Sequence, residues 1–211
     1  MFIKFGPAML SCIIATAITL VELISSEYFC TWSFIKKCWS FYVYGIIYGL
    51  IACILMFGFN HLLNLNIVRI EGLVLSSPWF HAIVIGISTK AFMHINIINV
   101  SIGSSNIKTT QIPIGLETII KVFEPVLLRN IKLYHYEQMS VFLEDHLKSY
   151  NDLENIKSKI TETVHTANFL TEQDKNVFKL DIGATRNPHE AMQLFLVTFG
   201  TTTFKRVFPR Q

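Results

Sequence analysis

The chain has 211 residues, of which 51% are hydrophobic and only 16% charged. Globular domains average about 25% charged residues, so an ordinary water-soluble domain over the whole length is excluded. The formal net charge is +3, and the second half holds no basic run longer than Lys205-Arg206. That excludes the clustered basic stripe a phosphate backbone needs, and no direct nucleic-acid contact is expected.

Charge is unevenly spread. Up to Val100 the basic residues are Lys4, Lys36, Lys37, Arg69 and Lys90, and the acids are Glu22, Glu27 and Glu71. The other 13 basic and 12 acidic residues follow. The first half is composed for lipid and the second for water. The expected fold is an α-helical integral membrane protein. It has about three transmembrane helices over residues 1–92 and a small, mostly helical α+β cytosolic domain over residues 93–211.

The first apolar run is Pro7 to Ser25, long enough to span a hydrocarbon core of roughly 30 Å. No small-x-small cleavage site follows it, so it reads as a retained span over about 7–25 rather than a signal peptide. Cys30 and Cys38 flank the loop that follows, as free thiols or as a disulfide. Cys12 and Cys53 sit in apolar runs, where cysteine acts as a small hydrophobe. The second run, about 41–65, carries no charge. Trp32, Trp39, Phe41, Tyr42 and Tyr44 crowd its entrance as an interfacial aromatic belt. Gly45 and Gly49 within it form a GxxxG spacing, which lets helix backbones approach closely. They are the candidate packing residues of a homo-oligomer. The third run, about 73–92, has Pro78-Trp79 and His81 near its start and Lys90 at its far end, where a lysine can snorkel to the interface.

Lys36 and Lys37 place the first loop inside by the positive-inside rule. The N-terminus is then outside and the C-terminal half cytosolic, in a bacterial inner membrane.

Past His94 the apolar residues alternate. Ile95 and Ile97, then Ile98, Val100 and Ile102, predict a strand with a bulge near Ile97-Ile98. Gly103-Ser104-Ser105-Asn106 is turn chemistry. Leu116, Ile119, Ile120, Phe123, Leu127 and Ile131 recur at helical spacing around Pro125, and a second helix is predicted from Leu133 to Leu147. A third is predicted to open at Asn151, with Glu154 three residues on. Phe178, Leu180 and Ile182 alternate and predict a short strand. Asn187-Pro188-His189-Glu190 opens a last, unusually apolar helix with proline at its first position. That helix is either central to the core or packed on a partner.

Catalytic signatures are absent: there is no G-x-S-x-G, Walker loop, G-x-G-x-x-G or H-E-x-x-H. His135 and His146 are eleven residues apart and could share a helix face, but nothing near them completes a zinc spacing. Glu117 and Glu124, seven apart, could pair for acid–base work or simply solvate one helix face. No catalytic residue, metal or cofactor is expected.

Three segments, Thr19-Leu20-Val21-Glu22-Leu23-Ile24-Ser25, Gly86-Ile87-Ser88-Thr89-Lys90-Ala91 and Ile112-Pro113-Ile114-Gly115-Leu116-Glu117, resemble pieces of small multi-span bacterial membrane proteins of phage-defence type. These include Kiwa-type membrane subunits and retron membrane effectors. The resemblance covers about residues 7 to 130 and carries over no functional residues. It implies a non-enzymatic, oligomeric sensor, anchor or effector that couples a soluble partner protein or a ligand to the bilayer. Two other readings are a small pore opened by a signalling nucleotide and an intramembrane enzyme using Glu22 and His81.

Overall fold

In the computed structural model, backbone is described for residues 2–65, 77–93, 98–102, 110–114, 116–150 and 152–210, with side chains over 5–65, 77–91, 120–150 and 152–210. The chain divides into two compact units, Met1–Ser26 with Cys38–Ile131, and Glu27–Lys37 with Lys132–Gln211.

The first unit is a bundle of α1 (Phe2–Leu23, running on into a π-helical turn at Ile24–Tyr28), α3 (Trp39–Asn64) and α4 (Pro78–Met93), joined by the first half of α5 (Leu116–Leu147). Its inner surface is built largely from small side chains. Ala8, Ser11, Ala15 and Thr19 recur every three or four residues along α1 and are buried, one face of a 3.6-residue helix. Ser11 Oγ donates to the Ala52 carbonyl of α3 at 3.0 Å. Gly86 of α4 lies so close to α1 that an added Cβ would come within 2.9 Å of Ile14. Phe41, Ile51 and Met56 of α3 and Ile85 of α4 are also buried, while other large apolar side chains of the same helices, among them Met9, Ile13, Val21, Leu50, Ile54 and Ile87, are exposed.

Among the described residues, two helices are long and apolar enough to cross a membrane, Phe5–Tyr28 with 24 residues and Trp39–Asn64 with 26. The third span expected over about 73–92 is corrected. Helix α4 has 16 residues and is about 24 Å long, short of a roughly 30 Å core. Residues 66–76 lie outside the described residues.

The second unit comprises α2 (Trp32–Ile35), the rest of α5, α6 (Leu153–Thr166), α7 (Glu172–Ala184) and α8 (Pro188–Val207). Here large side chains go inside: Leu143, Ile156, Ile160, Ile182, Met192, Phe195, Phe204 and Phe208 are fully buried. The α+β class expected for this half is overturned, because the unit is helical throughout its described residues. The only extended segments described, β1 (Ile98–Ile102) and β2 (Thr110–Ile114), form a two-stranded antiparallel ribbon with Ile98 opposite Ile114. They fall within the first unit and build no sheet domain. The bulge and turn expected at Ile97 and at Gly103–Asn106 lie outside the described residues.

The strand expected at Phe178–Ile182 is part of α7. Thr171 Oγ1 accepts from the Asp174 amide, and the Asp174 carboxylate accepts from the Thr171 amide, a reciprocal capping box that starts a helix. Phe178 and Ile182, four apart, are buried on one face, whereas Leu180 is 74% exposed; a strand would have put all three on one side. Helix α6 is capped by Asp152, whose carboxylate accepts from the Glu154 amide at 3.0 Å. The expected cap, Asn151, lies outside the described residues. The two helices expected around Pro125 and Leu133 are one, α5. Helix α8 starts where expected, with Asn187 accepting from the Glu190 amide at 2.8 Å and Pro188 in the first turn. Its apolarity serves the core: Ala191, Met192, Phe195 and Leu196 are fully buried.

Helix α8 is interrupted at Gly200, which has φ +75°, a conformation that favours glycine. The interruption seats the Cys30 segment. Cys30 Sγ donates to the Thr198 carbonyl at 3.4 Å, and a Cβ at residue 200 would lie 2.9 Å from the Cys30 carbonyl oxygen. His135 Nε2 bonds Thr31 Oγ1 at 2.9 Å, and Lys132 pairs with Glu27 at 3.3 Å. The second unit therefore includes the segment that connects the two span-length helices.

Candidate functional site

Charged side chains on apolar helices need partners, because an isolated charge in a low-dielectric medium is costly. In the first unit those partners form a chain across four helices. Lys90 of α4 pairs with Glu22 of α1 at 2.7 Å. The Lys90 ammonium also sits 5.5 Å from the centroid of the Tyr48 ring of α3, within cation–π range. The Tyr48 hydroxyl donates to Glu124 Oε1 of α5 at 3.2 Å, and Tyr44 donates to the same oxygen at 2.8 Å. The side chains of Lys90 and Glu22 are 31% and 55% exposed, so the ion-pair end of this ladder is open. The Glu124 end is packed: the residual cavity among Tyr44, Tyr48, Ile120 and Glu124 is only about 10 Å³, barely room for a water molecule. The ladder is thus a bonded junction between helices and not a ligand pocket.

This constellation was not assembled from sequence. The signal was there: Tyr44 and Tyr48 are four apart on one helix face, and Glu124 is an acid within an apolar run. Nothing in the sequence paired them.

Gly45 and Gly49 do mark a close approach, but α1 of the same chain makes it. An added Cβ at Gly45 would lie 2.7 Å from Leu20, and one at Gly49 would collide with Thr16 Oγ1 and come within 2.8 Å of the Cys12 carbonyl. Within one chain, then, these glycines serve the packing of α3 on α1.

His81 is buried and meets the edge of Phe59, ring centroids 5.0 Å apart. It lies nine residues before Lys90 on α4, about 13 Å along the helix axis, while Glu22 is held at Lys90. Glu22 and His81 are therefore not brought together as an intramembrane catalytic pair. The His135 ring packs at a tilt against Tyr28, centroids 5.0 Å apart, and burial pushes its pKa down. His146 donates from Nδ1 to the Phe142 carbonyl at 2.7 Å and packs between Phe142 and Phe204. Each histidine has its own partners, and the two share no ligand position. Among the described residues no three of His, Cys, Asp and Glu converge as metal ligands. All four cysteines are free thiols. The Glu117 side chain lies outside the described residues.

The chain matches no protein-family model, no curated protein and no solved structure.

Proposed function

We propose that this chain is a non-enzymatic membrane subunit that self-associates in the bilayer and presents its helical second unit to a soluble partner protein at the cytosolic face of a bacterial inner membrane. The observation that carries the reading is the inside-out build of the first unit. Small residues pack the α1–α3–α4 contacts, while Met9, Ile13, Val21, Leu50, Ile54 and Ile87 face outward. In water such a surface is an aggregation liability. In lipid it costs nothing, and close backbone packing is what holds helices together.

Orientation is supported by the Glu27–Lys37 segment. It belongs to the same compact unit as residues 132–211, and Lys36 and Lys37 favour the cytosolic side; both lie on that side only if the chain returns through the bilayer after α3, a return that α4, shorter than a full span, would make by local thinning. The ladder from Glu22 to Glu124 ties α5 to α1, α3 and α4. A role in antiphage defence rests on the resemblance of the three short segments, and a plaque assay with the gene deleted tests it.

The anchoring test is alkaline carbonate extraction of native membranes, with a C-terminal alkaline phosphatase fusion to report the side. The expected result is a chain that stays in the pellet with an inactive fusion. A chain released into the supernatant, or a fusion active in the periplasm, overturns the corresponding half of the proposal.

A further inference from the structure

Helix α5 carries an apolar stripe that the other described residues leave exposed. Val122, Val126, Leu133 and Tyr136 are each more than half exposed. With Arg129 and Ser140 they recur at steps of four, three, four, three and four residues, the spacing of a heptad seam. The seam runs about 27 Å along the helix. Lipid would account for the exposure of Val122 and Val126. Leu133 and Tyr136 belong to the water-facing second unit and lie among charged residues, where exposed apolar groups at seam spacing mark an interaction surface.

We infer that this face of α5 is the self-association surface, and that a second copy of the chain occupies it. Charge and symmetry identify the occupant. With Val126, Leu133 and Ser140 at a positions and Val122, Arg129 and Tyr136 at d positions, Lys132 falls at g and Glu137 at the e position five residues later. In a parallel two-stranded pair, g of one helix faces e of the next heptad on the other. Lys132 of each copy then meets Glu137 of its mate, twice by symmetry. The inference rests on the membrane reading above, because copies inserted the same way round in one bilayer carry α5 in parallel. Lys132 already contacts Glu27, but both side chains are substantially exposed, so the ammonium can serve two carboxylates. Arg129 at a d position weakens the seam while fixing its register, the known effect of a polar residue inside a coiled coil.

The test is disulfide trapping in native membranes, after carbonate washing has shown the chain to be membrane-retained. Leu133→Cys is compared with the unaltered chain, whose four cysteines set the baseline, and with Lys179→Cys on α7. The expected result is a homodimer band for Leu133→Cys alone, and a dimeric mass for the unaltered chain in mild detergent. Glu137→Lys places two like-charged pairs across the seam and is expected to lower the dimer fraction about threefold to tenfold. A retained chain in which Leu133→Cys traps no more dimer than Lys179→Cys overturns the α5 interface and leaves the membrane reading intact. A dimer fraction that Glu137→Lys leaves unchanged overturns the parallel register. Release by carbonate overturns the membrane reading itself, and with it the geometry that makes α5 parallel.

Discussion

The two units solve opposite problems with the same secondary structure. In the first, α1 buries Ala8, Ser11, Ala15 and Thr19 and turns Met9, Ile13 and Val21 outward. In the second, α8 buries Met192, Phe195, Leu196 and Phe204, while charged residues such as Glu172 and Asp181 of α7 face out. The second is organised by water, which expels large apolar groups. The first is packed by close fit between backbones, the arrangement that holds helices together where lipid tails offer no comparable expulsion. A substitution should therefore change in severity according to the unit it falls in.

The largest effect is expected from Phe195→Ala. Its ring stacks on Phe199 at 4.7 Å and contacts Phe204 and Phe208, so truncation leaves a cavity in the second unit and costs about 3–5 kcal/mol. Chemical denaturation followed by near-ultraviolet circular dichroism measures it. The counterpart in the first unit is an enlargement. Gly49→Leu drives a side chain into Thr16 and the Cys12 backbone and should cost about 1–3 kcal/mol or more, read as a lowered Tm in detergent. Ile13→Ala, an apolar truncation on the outward face, should stay within about 0.5 kcal/mol. If Ile13→Ala proves as damaging as Phe195→Ala, the contrast between the units collapses.

A loss between those of Gly49→Leu and Ile13→Ala is expected from Thr171→Ala. It breaks the capping box that makes α7 a helix and should cost about 1 kcal/mol. The smallest effect is a pH dependence from His135. Burial lowers its folded pKa, so the unfolded chain takes up the proton first. The stability this residue contributes is intact above the unfolded value near 6.5 and is lost as pH falls from there towards the lower folded value. His135→Gln should flatten that part of a pH–stability profile; an unchanged slope would assign it to another group.

What was legible in the sequence followed from local chemistry. The apolar run of α3 is bounded by its aromatic entrance and its asparagines. The start of α8 is written in Asn187, Pro188 and Glu190, because a cap needs only its own neighbours. The α7 segment misled because Phe178, Leu180 and Ile182 satisfy a period of two, while the Thr171–Asp174 box and the four-residue step from Phe178 to Ile182 set a period of 3.6. The glycines of α3 announced a close approach without naming the helix, and α1 had as good a claim as a second copy. The Glu22–Lys90–Tyr48–Glu124 ladder was illegible for a different reason. Its members span residues 22 to 124, and only the folded bundle brings those four helices to one level.

The seating of Cys30 in the break of α8 also sets an order of events during synthesis. Cys30 and Thr198 are 168 residues apart. At about 5–20 residues per second, the ribosome delivers the second roughly 8–34 s after the first. Throughout that interval the Glu27–Lys37 segment, including Ile35, which ends fully buried, has no complete second unit to enter. The N-terminal hairpin must therefore emerge as an open clasp that closes only when the last helix is made. A chain truncated ahead of α8 would leave that clasp open, with its apolar side exposed.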